Sequence, residues 1–414
     1  MTMRRRVVVT GIGAITPIGV TGRELWDGVR AERSAVRSLT RFDPSIFRSH
    51  MAAEVSDFVA SDHLESKRAK RLDRFGHFSV VAAKQALDDA GIDLASEDRD
   101  RIGSMMGSAL GGVAFAEDQL GGFLTQGLRA VEPMLALTVF GGASSCNIAI
   151  EFGVRGPNST NAMSCASGTI AVGDAFRQIR DGYADVMISG GAEAPLSPLC
   201  YGAFALIRAM STRNDDPGSA SRPFDRDRDG FVMGEGSAVL ILEERDRAIA
   251  RGAQIYAEIL GYGLTNDAHH MTAPLPDGSQ AARSISLALQ DAAITAGEIG
   301  YVNAHGSSTP LNDPTETLAI KRSLGDHAYR IPVSSTKGYY GHALGASGAI
   351  EAAICALALK HRWVPPTVNL RTPDESCDLD YVPATGRAAE FEFVLSNSFG
   401  FGGINAALVM RSDN

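Results

Sequence analysis

The sequence lacks any apolar run of the roughly 20 residues that a membrane-spanning helix needs. Its first residues, Met1-Thr2-Met3-Arg4-Arg5-Arg6, lead directly into Val7-Val8-Val9-Thr10. Because no longer apolar segment and no cleavage site follow, this start fits entry into a β-strand and does not fit a signal peptide. We therefore predict a protein of the cytoplasm that has no membrane partner.

Cysteine is also scarce and scattered. The chain has five cysteines in 414 residues, and no two of them form a C-x-x-C pair. An odd number of widely spaced thiols argues against a disulfide framework and against a zinc or redox site, so we predict free thiols in a reducing compartment and no metal. The cysteines are Cys146, Cys165, Cys200, Cys355 and Cys377.

An excess of positive charge is missing as well. The formal net charge is −9, which argues against a nucleic-acid partner. The most basic stretch, residues 65–74, contains Lys67, Arg68, Lys70 and Arg71. From the residues alone, this stretch is either a solvated helix face or a docking surface for an acidic partner.

A complete dinucleotide-binding fingerprint is absent too. Gly11 and Gly13 follow a strand-like start, but Thr16 stands where G-x-G-x-x-G requires its third glycine. A glycine turn that leaves a buried strand explains the same residues. A nicotinamide-dependent oxidoreductase is therefore the less favoured class.

The chain does contain a regular alternation of β-prone and helical segments. Residues 22–30 and 73–91 have the apolar spacing of helices, and residues 284–296 are a predicted helix of the second half. Such alternation predicts mainly parallel, buried sheets that are covered by helices. Because the element order is similar in both halves, we predict two related lobes, residues 1–252 and 253–414.

The stretch Ser164-Cys165-Ala166-Ser167-Gly168 stands between a β-prone lead-in and an amphipathic helix. A cysteine at such a helix start meets unpaired N–H groups and the positive end of the helix dipole, which favour the thiolate. Its small neighbours leave room for an acyl group to reach the sulfur. The alternative is a buried, inert cysteine, which is the commoner kind.

In three later segments, as at Cys165, a β-prone run is followed directly by a residue with a reactive or functional group. They carry His305, then Lys337 with His342, then Phe401 in a glycine-rich turn. Because strand ends converge at one edge of a parallel sheet, these groups and Cys165 are predicted to line one pocket. Each histidine alone is more often structural, but the whole set favours catalysis, since a non-catalytic scaffold has no need for it.

Such a set supports acyl transfer to a thiolate, followed by attack of a carbanion on the resulting thioester. When the carbanion forms by decarboxylation, two imidazoles can donate to the developing enolate oxygen. The N–H of Cys165 and an N–H of the Phe401 turn are predicted to bind the acyl carbonyl oxygen. We further predict that Lys337 tunes the local charge and that Glu316 holds Lys337 or a water.

With these motifs in this order, the chain resembles the elongating β-ketoacyl-acyl carrier protein synthases of the thiolase superfamily. The resemblance implies an α/β fold, a thiolase-like five-layered αβαβα duplication with two mixed, mainly parallel sheets. It also implies a homodimer, acyl carrier protein as the partner, and no cofactor beyond the phosphopantetheine of that carrier. The likeness runs from Val7 to Asn405 and is most specific at residues 164–168, 303–306, 334–337, 341–342 and 397–403.

The resemblance also implies a role for individual residues. Cys165 is the acylated nucleophile, His305 and His342 serve decarboxylation and condensation, and Phe401 is a gate beside the cysteine. Lys337 and Glu316 are supporting catalytic residues. The implied substrate-binding residues are Ser307 and Thr309 at the pantetheine arm, Thr272, Leu110 at the chain-length-limiting position, Met163 and Leu135. The implied carrier-docking residues are Lys67, Arg68, Lys70, Arg71, Arg129 and Arg208.

Several residues depart from the family's usual pattern without removing a catalytic group. They are Met163, Ser307, Gly338-Tyr339-Tyr340, Ile404 and Pro133-Met134-Leu135. The predicted activity is an acyltransferase reaction, a decarboxylative Claisen condensation of an acyl thioester with malonyl-acyl carrier protein that lengthens a fatty acyl chain by two carbons. A ketosynthase of a polyketide or specialised lipid pathway is the alternative.

Overall fold

The computed structural model describes residues 4–413. Its strands are β1 Val7–Ile15, β2 Arg37–Ser38, β3 Met51–Ala52, β4 Ile102–Gly107, β5 Asn158–Asn161, β6 Val186–Glu193, β7 Gly236–Glu244, β8 Ala257–Asn266, β9 Ile299–Asn303, β10 Val333–Ser334, β11 Trp363–Val364, β12 Arg387–Ala388, β13 Phe393–Gly400 and β14 Ile404–Arg411. Its α-helices are α1 Gly22–Arg30, α2 Ser66–Ala69, α3 Arg74–Ala90, α4 Val113–Gln126, α5 Leu135–Thr138, α6 Ala143–Phe152, α7 Ser167–Arg180, α8 Pro198–Leu206, α9 Arg245–Ala250, α10 Ser279–Ala292, α11 Asn312–Leu324, α12 Lys337–Tyr340 and α13 Ser347–His361. Over the described range, none of these helices combines the length and the apolar character that crossing a bilayer requires.

Ten strands form one mixed sheet in the order β10-β9-β13-β14-β8-β1-β7-β6-β4-β5. Each half, β5-β4-β6-β7-β1 and β10-β9-β13-β14-β8, has two parallel pairings followed by two antiparallel ones. The halves meet edge to edge, where residues 7–9 of β1 pair antiparallel with residues 257–259 of β8. The α/β duplication with mixed pairing is thus confirmed, but the two expected sheets are joined at their edges, and each half is as much antiparallel as parallel instead of mainly parallel. Antiparallel neighbours arise because hairpin-like returns such as β13–β14 need no crossover helix.

Helices cover the two outer faces and fill the space between the halves. α3 packs on β1 and β7, and α10 packs on β8 and β14. α7 and α13 contact strands of both halves and each other, so they form the middle of five layers. α13 is buried on every side from Ser347 to Leu359, as expected for a helix that is apolar all round.

One apolar cluster crosses from the first half of the chain to the second. It includes Val9 and Ile170 from the first half together with Ile350 and Met410 from the second. The two lobes therefore share a core, and their predicted division at residues 1–252 and 253–414 stays a prediction.

The predicted helix boundaries agree with the structure in the first half and are displaced in the second. The predicted helices at 22–30 and 73–91 are α1 and α3, and Asp73 caps α3 by accepting from Gly76 N at 3.0 Å. The helix predicted at 284–296 is α10, which begins at Ser279 and ends before Ala293. Ala293 has a φ of 55°, which ends the helix in the left-handed region.

The starts of α7 and α13 pack against each other through glycine. A Cβ placed on Gly168 would stand 2.6 Å from Ala349 N, and one placed on Gly348 would stand 2.1 Å from Thr169 Oγ1. Neither position has room for a side chain, so the two helix backbones lie in direct contact. This contact brings together the two turns that precede these helices.

We expect Gly168→Ala to lower the free energy of unfolding by about 1–3 kcal/mol, because the added methyl overpacks the contact with α13. Gly121→Ala in α4 is the matched control, since a Cβ there would meet no atom within 4 Å. The control should raise stability by up to about 1 kcal/mol through helix propensity. Urea unfolding measures both changes, and equal stability of the two variants would contradict the packing account.

Candidate active site

A cavity of about 280 Å³ opens where several strand-end turns meet. Its wall includes Cys165, His305, His342 and Phe401. These residues come from both halves of the chain and from the turns that follow β5, β9, α12 and β13. The structure thus brings one thiol, two imidazoles and one aromatic gate candidate to a common space.

Cys165 lies in a short turn, Ser164–Ala166, directly before α7. The residue is only 7% exposed, and burial raises the pKa of the thiol. The Ser164 hydroxyl, the Lys337 charge and the Phe401 N–H lower that pKa, but burial outweighs them. The expectation that the helix start alone would favour the thiolate is therefore not met, because the cost of burying the charge is larger than the gain.

The hydrogen bonds of His305 fix which of its ring nitrogens carries the proton. Nδ1 lies 3.3 Å from Lys337 Nζ, which also donates to the His305 carbonyl at 2.6 Å. An ammonium group can only donate, so Nδ1 accepts and the neutral ring carries its proton on Nε2. Burial, with the nearby charge of Lys337 and with His342, lowers the pKa of His305 well below its usual value.

Two buried carboxyl groups lie behind His305. Glu351 of α13 forms an ion pair with Lys337, and burial raises the pKa of Glu351 to about 7. Glu316 accepts from His305 N at 2.8 Å and from Gly306 N at 2.7 Å. Of the two partners predicted for Glu316, Lys337 is therefore wrong, because Glu351 pairs with Lys337 and Glu316 anchors the backbone of the histidine turn. A water held by Glu316 stays a prediction.

Ser347, the first residue of α13, fixes His342 in a similar way. Its Oγ lies 2.9 Å from His342 Nδ1, and the side chain is fully buried. Within the described chain this is the only partner of the hydroxyl, so its proton would remain unsatisfied unless it is donated to Nδ1. Nε2 of His342 then carries the ring proton. Burial, followed by the charge of Lys337, lowers the pKa of His342 well below its usual value.

The two imidazoles face each other edge to face beside aromatic rings. Their centroids lie 5.4 Å apart at 80°. Phe231 contacts His342 with a centroid distance of 5.4 Å, and Phe399 approaches His305 at 6.0 Å. These rings keep water from the imidazoles, which is the physical cause of their low basicity. Two neutral N–H donors in an apolar wall suit a developing anionic oxygen.

The glycine-rich turn after β13 packs against the backbone of the cysteine turn. A Cβ placed on Gly400 would stand 3.2 Å from Cys165 N, so the two backbones are in contact. The Phe401 N–H approaches the sulfur closely enough to lower its pKa. The Phe401 ring stacks on Phe204 of α8, with centroids 6.4 Å apart. Two backbone N–H groups therefore lie close to the sulfur, as an oxyanion site requires.

The predicted substrate-binding residues divide into two groups. Ser307, Thr309 and Thr272 line the cavity, and the hydroxyls of the first two lie 3.0 Å apart. Leu110 does not line the cavity but packs into the apolar cluster that contains Cys165. Met163 is exposed and Leu135 is half-buried in α5; neither belongs to the cavity wall, so the structure does not place them at the site.

The sequence matches the family described as Beta-ketoacyl synthase, N-terminal domain, over residues 4–248, and its C-terminal domain over residues 256–371. The chain belongs to the beta-ketoacyl synthase family. It is an acyltransferase-type enzyme, as the sequence predicted.

Two curated relatives named 3-oxoacyl-[acyl-carrier-protein] synthase 2 match this ketoacyl synthase over nearly its full length. The protein from Synechocystis sp. is 50% identical over 99% of this chain and 98% of its own. The protein from Coxiella burnetii is 44% identical over 98% of both chains. A solved type II polyketide ketosynthase, bound to its acyl carrier protein, is 37% identical over 99% of this chain and 100% of its own, with a TM-score of 0.92. The predicted thiolase-like fold is thereby confirmed.

The predicted docking residues of this ketoacyl synthase lie on several surfaces. Lys67, Lys70 and Arg71 are exposed at α2 and make no ion pair with the described residues 4–413. Arg68 is less available to bind a partner, because its guanidinium pairs with the Glu151 carboxylate at 2.8 Å. Arg208 lines the cavity mouth, and Arg129 is exposed after α4.

Sequence reasoning missed three residues that hold the site of this ketoacyl synthase. Glu351 and Ser347 are described above. Glu193, at the end of β6, accepts from Ala109 N at 2.6 Å and from Gly345 N at 2.9 Å. It thereby ties the loop of Leu110 to the turn after His342. A lone glutamate in an otherwise apolar helix or strand was the available signal, since such residues are almost never buried without a partner.

The tautomers of the two histidines give a direct test of this geometry. We expect ¹⁵N NMR of histidine-labelled protein to show both rings neutral and protonated on Nε2 from pH 8 to pH 6, because their pKa values lie well below the ordinary 6.5. In Ser347→Ala the hydroxyl that donates to His342 Nδ1 is lost. The Nδ1-protonated form should then appear for His342 and not for His305.

His305 serves as the internal control, because Lys337 and not Ser347 fixes its tautomer. Signals are assigned by difference with His305→Ala and His342→Ala. Protonation of either ring with a midpoint at or above pH 6.5, or an unchanged His342 signal in Ser347→Ala, would contradict this account.

Proposed function

We propose that this protein is a 3-oxoacyl-[acyl-carrier-protein] synthase. It transfers an acyl chain from a carrier thioester to Cys165, condenses it with malonyl-acyl carrier protein, and releases carbon dioxide with a chain two carbons longer. The proposal rests on one buried sulfur and two neutral imidazoles in the wall of the same cavity. Full-length identities of 50% and 44% to two relatives of that name support it.

The first half-reaction is acyl transfer. Cys165 Sγ attacks the carbonyl carbon of the acyl-carrier thioester, and the oxygen becomes an oxyanion. The N–H groups of Cys165 and Phe401 donate to that oxygen. The bond to the carrier sulfur then breaks, and the carrier leaves as a thiol with the proton of Cys165. The raised pKa of the thiol fits a sulfur that ionises only as the acyl group arrives.

The second half-reaction joins two carbon atoms. The malonyl C–C bond to the carboxylate breaks, carbon dioxide leaves, and its electron pair forms an enolate on the carrier thioester. His305 and His342 donate their Nε2 protons as hydrogen bonds to the enolate oxygen without giving them up. The enolate carbon attacks the Cys165 thioester, and the carbon–sulfur bond breaks to release Cys165 as a thiolate, which takes a proton from water to become the thiol again.

Lys337 and Glu316 act through His305 in this proposal. Lys337 donates to Nδ1, which keeps the ring proton on Nε2. Glu316 holds the backbone of residues 305 and 306, which sets where the ring stands. Both are therefore positioning residues, and Glu351 keeps Lys337 in place through the buried ion pair.

The environment of the sulfur favours an apolar acyl chain. Cys165 belongs to an apolar cluster with Leu196 and Leu344, and Leu110 and Phe204 pack against that cluster. A fatty acyl chain fits such a lining better than a poly-oxygenated chain does. A polyketide or specialised lipid ketosynthase remains the second candidate, because a solved polyketide ketosynthase is 37% identical. Profiling acyl chains of different length and oxygenation separates the two.

We also propose that an acidic acyl carrier protein docks on exposed basic residues, one of which stands at the cavity mouth. Arg208 lines that mouth, while Lys67, Lys70 and Arg71 present free cations on the surface. The carrier's phosphopantetheine arm would pass Thr272, Ser307 and Thr309, and its thioester supplies all the chemistry, so the proposal invokes no further cofactor.

We propose that the protein is a homodimer, in which a second copy of the chain covers an exposed apolar face. β5 is an edge strand of the sheet, and the nearby segment from α4 to α6 exposes apolar side chains. A patch of this kind beside an open strand edge is typical of an interface. A homodimer would cover both. The exposed side chains of this segment are those of Leu120, Phe123, Leu124, Leu128, Met134, Leu137, Phe140 and Ile150, and Met163 is exposed just after β5.

We propose a cytoplasmic location, since all five cysteines are free thiols and such thiols fit a reducing compartment. The redox state of each cysteine can be measured by alkylating the cells before lysis, which traps each thiol as it is in the living cell. We expect all five cysteines to be reduced. Oxidised cysteines in that measurement would contradict the location.

Mass spectrometry of acylated protein tests the central proposal. After incubation with acyl-carrier thioesters, the acyl mass should appear on Cys165 before any other cysteine, and Cys165→Ala should lose both this label and condensation. Cys146→Ala is the matched control, because Cys146 is exposed but lies outside the cavity. Acylation of Cys146 as fast as Cys165 would refute a specific nucleophile.

Reversing charge tests the docking surface. We expect Lys67→Glu with Arg71→Glu to raise KM for carrier-bound substrate about fivefold and to leave kcat and small thioester substrates unchanged, since exposed ion pairs contribute up to about 1 kcal/mol each. Arg23→Glu on α1 is the control, because that side chain is 92% exposed on a different element. An equal loss with small substrates would remove the docking proposal.

Sedimentation equilibrium tests the dimer. We expect the unchanged protein to sediment as a dimer, and Leu124→Asp with Leu128→Asp to dissociate it, because two charges would be buried in the interface. Ile46→Asp is the control, since Ile46 is 83% exposed outside this face. A monomeric unchanged protein would contradict the proposal.

A further inference from the structure

The residue before the proposed nucleophile has an unusual backbone conformation. Ser164 has a φ of 52°, in the left-handed region that residues with a side chain rarely adopt. Such a conformation is unfavourable and persists only where the surrounding structure enforces it. Its occurrence next to Cys165 therefore calls for a physical reason.

Hydrogen bonds on both sides hold this conformation. Ser167 Oγ donates to the Ser164 carbonyl at 2.7 Å, and Asn161 Nδ2 donates to the Ser167 carbonyl at 3.0 Å. The end of β5 is thereby tied to the start of α7. On the other side, a Cβ placed on Gly400 would stand 3.3 Å from Ser164 Cβ, so the Phe401 turn packs directly against it.

The enforced conformation places the Ser164 hydroxyl beside the sulfur. Ser164 Oγ lies 3.7 Å from Cys165 Sγ, within hydrogen-bond range for sulfur, and it has no other side-chain or backbone partner among residues 4–413. A hydroxyl proton rotates freely toward the best acceptor, and a thiolate accepts far more strongly than a thiol. The bond therefore strengthens as charge develops on the sulfur.

We propose that Ser164 is a further catalytic residue, whose hydroxyl donates to Cys165 Sγ whenever that sulfur carries negative charge. The sulfur carries charge twice in the proposed cycle, once as it attacks the acyl thioester and again as it leaves the condensed product. The inference rests on the proposed role of Cys165 as nucleophile.

The electrostatics of the site agree with this role. Burial is the main influence on the thiol and raises its pKa, and the Ser164 hydroxyl is the strongest of the groups that lower it, ahead of Lys337 and the Phe401 N–H. Lys337 is already engaged by His305 and Glu351. Unlike Lys337, the Ser164 hydroxyl has no competing partner within the described chain.

The test is the pH profile of Cys165 alkylation by iodoacetamide, read by peptide mass spectrometry. Ser164→Ala and Ser164→Gly both remove the hydroxyl, whereas only glycine relieves the backbone conformation. Both variants should shift the profile to higher pH and slow alkylation at neutral pH by about tenfold, the effect of losing one hydrogen bond to a charged group. Cys146, which is exposed, is the internal control and should not change.

A second readout separates this role from a merely structural one. Decarboxylation of the malonyl carrier, which involves the imidazoles and not the sulfur charge, should continue near its normal rate in both variants. A normal alkylation profile in both variants, or in glycine alone, would overturn the inference. If acyl-carrier thioesters never acylate Cys165 in the unchanged protein, the proposed function itself fails, whatever the serine does.

Discussion

The contact between the starts of α7 and α13 sets the distance between the two reactive turns. Gly168 and Gly348 have no room for a Cβ, so the two helix backbones touch. The turn of Cys165 directly precedes α7, and the turn of His342 directly precedes α13. A contact in the middle layer thus fixes a geometry at the cavity wall. The duplication makes this possible, because each half supplies one central helix.

Burial governs the chemistry of the groups that this contact brings together. It lowers the pKa of both histidines and raises that of the cysteine, so the thiol and both imidazoles are uncharged in the free site, beside the buried Lys337–Glu351 pair. Breaking a buried pair by removing one partner is strongly destabilising. The pair therefore holds Lys337 in one place, and the hydrogen bond from Lys337 to Nδ1 orients the ring of His305. Neutral, oriented donors need little rearrangement when an anion forms, which is the basis of electrostatic preorganisation.

The alternation of strands and helices predicted an α/β fold with two lobes, while the five-layered arrangement came from the resemblance to the elongating synthases. The main site residues could be predicted to meet, because strand ends converge at one edge of a sheet in α/β folds. Cys165, His305, His342 and Phe401 lie around one cavity for this reason. The edge-to-edge joining of the two sheets could not be predicted, since it depends on only three residues of β1 and three of β8.

The residues that hold the catalytic side chains in place were harder to predict than the residues that line the cavity. Glu316 and Glu351 are both buried carboxylates in helices, and only tertiary packing decides which of them faces Lys337. The tautomer of His342 depends on Ser347, a small residue without any distinctive pattern. The electrostatics of Cys165 reversed the sequence expectation, because the helix start was visible in the sequence but the depth of burial was not.

A crystal structure of the protein acylated on Cys165 would test the central claim most directly, which is that one sulfur and the donors around it form a single acyl-transfer site. The thioester carbonyl oxygen should accept from both Cys165 N and Phe401 N, with the two imidazole Nε2 atoms facing the vacant side of the thioester. A carbonyl oxygen turned away from both N–H groups, or imidazoles separated from the thioester by protein, would contradict it.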